Sequence, residues 1–183
     1  MKEFEKRFRQ PENMETILLD LGFMKDDSYH MDDLIFEPNS WVPGTGLRPG
    51  YFVIRIRLVE GKDPVAEMKK MLDTNLWDET QLMIDSPENA LHLFSALATP
   101  RRIITKQREV WTNDKLIICL DDVKDLGRFI EVEGNEPDVN DFVEKVGLSD
   151  PQPGYGTQLY FLERDGKIRF DINEMHDIVK RFK

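Results

Sequence analysis

The chain has 183 residues, 40% hydrophobic content and a formal net charge of −10. That is enough chain to bury a real core, and its acidity argues against general binding to nucleic acid or to an anionic membrane, while leaving room for a local basic pocket. No apolar run reaches membrane-spanning length, the opening MKEFEKRF has no signal-peptide pattern and the one cysteine, Cys119, has no internal partner, so the expectation is a single cytoplasmic domain over 1–183.

Residues 2–9 read as a short strand, with Glu3, Glu5 and Arg7 on one face and Phe4, Lys6 and Phe8 on the other, because successive strand side chains point to opposite sides. Asn13 is a candidate cap for a helix over 14–21, which Gly22 ends. A strand is predicted over 29–37, centred on Leu34, Ile35 and Phe36. The stretch 38–50 is dense in Pro and Gly, carries Trp41 and Arg48, and reads as a loop, either a flap near a site or plain surface. Residues 51–59 are the clearest strand: Val53, Arg55 and Arg57 share one face, and Phe52, Ile54, Ile56 and Leu58 share the other. Residues 64–72, with Glu67, Lys69 and Lys70, fit helix and strand templates equally.

A strand over 77–84 is followed by Ser86-Pro87-Glu88, a helix start, and by the apolar stripe Ala90, Leu91, Leu93, Phe94 and Leu97. Residues 102–112 form a predicted strand with Ile104, Lys106, Arg108 and Val110 on one face. The stretch 116–133 reads as two strands joined by a tight acidic turn, and in the second of them Phe129, Glu131 and Glu133 oppose Ile130 and Val132. A helix over 138–146 closes at Gly147. Residues 158–162 are a short strand or helical turn, Asp165-Gly166 suggests a hairpin before 168–170, and 173–181 is a terminal helix. His30, His92 and His176 lack ligand spacing, and the three tryptophans read as packing residues.

Line up the strands and the charges sort by face. Glu3, Glu5 and Arg7 share one; so do Arg55 with Arg57, Lys106 with Arg108, and Glu131 with Glu133. In all but the Lys106 and Arg108 strand the opposite face is largely apolar. One account is ion pairing across an exposed sheet. The other is a barrel turned inside out, with apolar faces outward under helices and charged faces lining a water-filled tunnel; about eight strands leave room for a small ligand. The fold class expected on that account is α+β, an antiparallel β-barrel with helices packed outside. Clustered arginines and lysines suit phosphate oxygens, and clustered carboxylates suit hard divalent cations.

EFEKRF, at 3–8, resembles the ExExK signature of the CYTH superfamily, the triphosphate tunnel metalloenzymes. LDDVKDLGRFIEVE, at 120–133, resembles that family's late motif, especially in class IV adenylyl cyclase-like members; YFVIRIR and IITKQREVW resemble its paired-basic strands, and GYGTQLYF resembles its short SY-containing segment. The resemblance implies a single tunnel domain using Mg²⁺ or Mn²⁺. By it, Glu3, Glu5, Asp121, Glu131 and Glu133 hold metal, while Arg7, Arg55, Arg57, Lys69, Lys106 and Arg108 bind phosphate; Glu5, Arg7 and Glu133 are the catalytic candidates. Lys70 competes with Lys69, and Glu79 matches a mid-chain acidic position. The signature lysine is Arg7 here, unless a bulge brings Lys6 into its place, and arginine does not deprotonate in proteins.

The activity implied is hydrolysis of a triphosphate compound such as ATP, thiamine triphosphate or tripolyphosphate. The alternatives are class IV adenylyl cyclisation of ATP to cyclic AMP and pyrophosphate, and a binding module without catalysis. No nucleic-acid or membrane partner is expected, and the chain is expected to be a monomer or homodimer.

Overall fold

The computed structural model describes residues 2–38 and 49–182, and of Glu3 it describes the backbone alone. The expected loop over 38–50 therefore lies almost wholly outside the described residues. Eight antiparallel strands close into a barrel: β1 (Lys2–Arg9), β2 (Met24–Glu37), β3 (Phe52–Val59), β4 (Val65–Asp73), β5 (Leu76–Met83), β6 (Thr99–Thr112), β7 (Leu116–Val123) and β8 (Gly127–Gly134). Around the barrel they run β1-β5-β4-β3-β2-β6-β7-β8. The helices are α1 (Met14–Asp20), α2 (Pro87–Leu97), α3 (Glu136–Val146), α4 (Tyr155–Arg164) and α5 (Ile172–Arg181). No described helix is long and apolar enough to cross a membrane.

The alternation read from the sequence runs round the barrel. The outward residues Phe4, Phe8, Ile118, Leu120, Ile130 and Val132 pack beneath α1 and α3. On the opposite side Leu34, Phe36, Ile56 and Leu58 pack beneath α2 and α5, through Leu91, Met175, Ile178 and Val179. The helices thus bury the outer apolar face and leave the inner face to charge.

A third cluster differs in kind. Ile35, Ile104, Val123 and Phe129 are on the inward faces of their strands, and they pack against Tyr155 and Leu159 of α4. An apolar patch inside a polar tunnel needs its own cover, and α4 supplies it at one end. Gln152 ties the approach to α4 down, its backbone N–H donating to the Arg7 carbonyl at 2.7 Å.

Several local expectations change. Residues 64–72 resolve as strand β4, paired on both sides. Strand β2 begins at Met24, earlier than expected, because polar residues 24–28 are drawn into the ladder with the end of β6. Asn13 lies in the left-handed region and makes no side-chain cap, although α1 starts beside it. The region 158–162 belongs to helix α4, and no strand forms at 168–170. Gly166 takes a positive φ of 70° and serves the end of α4, where Lys167 N–H donates to the Leu162 carbonyl at 2.9 Å. A glycine free to adopt that conformation suits a helix stop as well as a hairpin.

Candidate active site

The inward faces enclose a cavity of about 570 Å³. One wall comes from β6, β7, β8 and β1. Arg108 on β6 forks onto Asp121 of β7: Nε donates to Oδ1 at 2.7 Å and Nη2 to Oδ2 at 2.7 Å. Lys106 Nζ donates to the same Oδ2 at 2.8 Å, and so does Tyr155 Oη at 2.9 Å. Arg108 and Arg7 both pair with Glu131. The Arg7 guanidinium also lies 4.2 Å from the centroid of the Tyr155 ring and 3.5 Å from Glu5.

The facing wall comes from β2, β3, β4 and β5. Arg57 forks onto Asp33, Nε to Oδ1 at 2.8 Å and Nη2 to Oδ2 at 3.1 Å. Arg55 donates to Asp33 Oδ2 at 3.3 Å and pairs with Glu67. Lys69 bridges the two walls, with Nζ 2.7 Å from Glu5 and 2.7 Å from Glu79.

The carboxylates fall into two groups. Asp33, Glu67 and Asp121 are almost wholly buried, and each is held by arginine. Such an anion fixes the guanidinium in one orientation and leaves its remaining N–H groups for the cavity, which is preorganisation. Burial pushes Asp121 up, but the charges of Arg108 and Lys106 outweigh it and hold the carboxyl well below its ordinary range. Arg57 and Arg55 outweigh burial in the same way at Asp33. Burial, then the neighbouring charge of Arg108, bring Lys106 down to about 8 against the pull of Asp121 and Asp33.

Glu5, Glu131 and Glu133 come from the paired strands β1 and β8 and, like Asp33, line the cavity; Glu5 stands directly opposite Glu133 and Arg7 opposite Glu131. Burial raises Glu5, but Lys69 and Arg7 overcome it and lower the carboxyl to about 2. Glu133 makes no ion pair among the described residues. Oxygen donors of this type fit a hard divalent cation. Among the described residues no cluster of three or more metal-type side chains is preformed.

Of the residues singled out from sequence, Glu5, Arg7, Arg55, Arg57, Lys69, Lys106, Arg108, Glu131 and Glu133 all line the cavity. Asp121 does not; it stands behind Arg108 and Lys106, with both oxygens committed. Glu3 lies opposite Trp77 on β5, and nothing further is described of it. The choice between Arg7 and Lys6 resolves in favour of Arg7. The β1–β8 ladder runs without a bulge, and Lys6 Nζ donates to Asn140 of α3 at 2.6 Å. Lys69 lines the cavity, and Lys70 is exposed. Sequence reasoning missed Asp33, Glu37, Tyr51 and Arg102, all of which line the cavity, and it gave Tyr155 no role. Extending the alternation would have found Arg102 and Asp33. Arg102 shares the face of Lys106, and Asp33 opposes the apolar Leu34 and Phe36.

Comparison with known proteins gives one family. The CYTH domain model matches residues 1–151. The PH1012 protein of Pyrococcus horikoshii OT3 is similar in structure, with a TM-score of 0.74 at 21% identity, covering 86% of this chain and 98% of its own. A Vibrio parahaemolyticus protein described as a candidate adenylate cyclase aligns with a TM-score of 0.64 at 14% identity, covering 86% of this chain and 97% of its own. A Hippeastrum protein described as a candidate adenylyl cyclase with a dominant triphosphatase activity aligns with a TM-score of 0.55 at 17% identity, over 92% of this chain and 98% of its own. No curated protein matches the chain.

Proposed function

This chain belongs to the CYTH family, and from that premise we propose that it is a divalent-metal-dependent triphosphatase, acting on a triphosphate compound held in the barrel. The observation that supports this reading most is the sorting of charge on the inner face. Arginines braced from behind by buried carboxylates meet cavity-facing carboxylates within one cavity of about 570 Å³. A polyanion with a bound cation matches both sets at once. Its oxygens take the N–H groups of Arg7, Arg55, Arg57, Lys69, Lys106 and Arg108, while the carboxylates turn to the cation.

Glu5, Glu131 and Glu133 are the residues that would hold Mg²⁺ or Mn²⁺, with Glu3 as a further candidate on the same strand face. When bound, such an ion polarises phosphoryl oxygens and neutralises charge developing on them. The chain's own residues supply position and electrostatics. Arg57 and Arg108 arrive prealigned, so little reorganisation accompanies charge development at the transferred phosphoryl group. Arg7 binds phosphate and takes no proton, because a guanidinium stays charged. The role of orienting the attacking water falls to a carboxylate, and Glu133 is preferred because it makes no ion pair among the described residues. Asp121 acts as a positioning residue through Arg108 and Lys106. The products are phosphate and a diphosphate compound.

Adenylyl cyclisation is the second reading. The likeness of the late segment to class IV cyclase members favours it, since the same grip would serve attack by a ribose hydroxyl on the α-phosphorus. A panel of ATP, thiamine triphosphate and tripolyphosphate with Mg²⁺ or Mn²⁺ separates the readings. Phosphate release is the expected outcome; cyclic AMP with pyrophosphate would replace hydrolysis by cyclisation, and binding without turnover would leave a binding module. Retention of both binding and turnover in Glu5→Gln and Arg57→Ala would remove the cavity from the account.

A further inference from the structure

The seam that closes the barrel between β1 and β5 is short. The two strands pair only from Lys2 with Asp78 to Phe4 with Leu76, while β5 runs on to Met83. Past the seam, Thr80 to Met83 pair with β4 on one side and, among the described residues, with no strand on the other. All four are exposed, Leu82 at 68% and Met83 at 62%. Alternate residues of an antiparallel strand turn their backbone groups to alternate sides. Ile84 N–H donates to the Pro64 carbonyl at 3.1 Å and so faces β4, whereas the Asn75 carbonyl accepts from Glu5 N–H at 3.0 Å and so faces β1. By that parity Thr80 and Leu82 bond to β4, and Gln81 and Met83 each aim an N–H and a C=O out of the open edge. Such an edge, flanked by exposed apolar side chains, is a template for another strand.

We propose that this edge forms a homodimer, in which β5 pairs antiparallel with β5 of a second copy about a two-fold axis at Leu82. Register selects that occupant. An axis at Leu82 sets Gln81 opposite the partner's Met83 and Met83 opposite the partner's Gln81, so four hydrogen bonds satisfy every outward group that these residues present. The two Leu82 side chains then meet on the axis in a close, non-hydrogen-bonded pair. Length agrees. Strand β1 holds β5 as far as Asp78, so an added strand must end there. In this register the second copy has by then reached its own Ser86, the cap of α2, and leaves the sheet. Charge agrees as well. Residues 80–84 are uncharged, so two molecules of net charge −10 meet on a neutral patch. Glu79, which stands opposite the partner's Asp85, is matched by Lys69 at 2.7 Å. A charged peptide gains nothing from these residues, while the neutral, half-apolar strand that fits them is the edge itself. The pair is at the small end of interfaces and follows concentration; the dilute chain is a monomer with Leu82 exposed. Gln81 also lines the cavity, and its side chain donates to Glu67 Oε2 at 2.8 Å, so pairing fixes the backbone of a cavity residue.

Sedimentation velocity of the full chain from about 1 to 300 µM tests the proposal, the range in which a weak pair assembles. The sedimentation coefficient of the wild type rises with concentration towards that of a dimer. L82K and L82E alter an exposed side chain, and circular dichroism checks that both are folded. Each alone sediments as a monomer throughout, because like charges face across the axis. An equimolar mixture of the two dimerises again, about 10-fold or more tightly than either alone. L82C crosslinks between copies under copper–phenanthroline oxidation, because the Cα atoms of a non-hydrogen-bonded pair lie about 4.5 Å apart, within disulfide reach. T80C does not, since Thr80 stands opposite the partner's Ile84, and the native Cys119 is buried. A wild type that stays monomeric, a dimer that L82K leaves intact, or a mixture of L82K and L82E that stays monomeric overturns the proposal.

Discussion

The β7–β8 and β4–β5 hairpins follow the same rule on their inner sides and opposite rules on their outer ones. Both turn charge inward: Asp121, Glu131 and Glu133 from the first, Glu67, Lys69 and Glu79 from the second. Outside, Ile118, Ile130 and Val132 of the first are wholly buried under helices, whereas Leu82 of the second is 68% exposed and Met68 is 38% exposed. The first hairpin is also closed from within, because α4 lays Tyr155 over Asp121. A carboxylate enclosed on every side must be fully satisfied by cations and donors, and Asp121 is. On the less covered hairpin Lys69 shares its charge between Glu5 and Glu79 at the cavity surface. The difference teaches that inward charge serves two purposes here, a fixed brace on the covered side and an exchangeable pair on the other.

The largest effect expected from breaking this comparison is at the brace. Asp121→Ala leaves Arg108 and Lys106 buried without their shared anion and costs about 3–5 kcal/mol of stability, whereas Glu79→Gln costs about 1 kcal/mol or less. Urea unfolding of both variants measures the gap, and equal losses would erase the distinction between brace and exchangeable pair. The outer faces give the next test. Ile118→Ala opens a cavity under α1 and α3 and costs about 3 kcal/mol, while Leu82→Ala changes stability by about 0.5 kcal/mol or less.

Glu133→Gln separates chemistry from fold on the covered hairpin. It removes no ion pair among the described residues, so its unfolding midpoint stays near that of the wild type, and turnover of the preferred triphosphate drops about 100-fold, the scale of losing one preorganised electrostatic contact. Unchanged turnover would move the water-orienting role elsewhere. The last test is the pH dependence of the Lys69 and Glu5 pair. Glu5 sits at about 2 in the folded chain against 4.5 for an unperturbed carboxyl. A depressed carboxylate favours folding above its unfolded value and loses that contribution as pH falls through the folded one. The stability difference between wild type and Glu5→Gln is therefore full at pH 7 and shrinks between about 4.5 and 2. A difference that stayed constant down to pH 2 would show that Lys69 gives Glu5 no net support.

Much of the barrel was legible because a strand's side chains alternate with a period of two. Arg55 with Arg57, Lys106 with Arg108 and Glu131 with Glu133 could each be assigned to one face without knowing the fold. The reading failed where alternation was interrupted or where partners decide. Residues 64–72 mix charges at spacings that suit helix and strand alike, and only pairing with β3 and β5 made them a strand. Asp33 was hidden by the apolar run beside it. Asp165-Gly166 carried a turn signal that two different turns share.

By itself, then, the sequence determined which residues of the clearest strands share a face, what chemistry they bring, and the family whose motifs they resemble. Alternation and residue type are local properties. The tertiary structure alone decided what those inward charges do, because burial and partner are properties of closure. Ring closure put Glu5 opposite Glu133 and brought Lys69 of β4 to Glu5 across the intervening β5. The return of α4 over one end enclosed Asp121 and placed Tyr160 beside Arg102. The same closure that makes one carboxylate a brace leaves Glu133 facing the cavity without an ion-pair partner among the described residues.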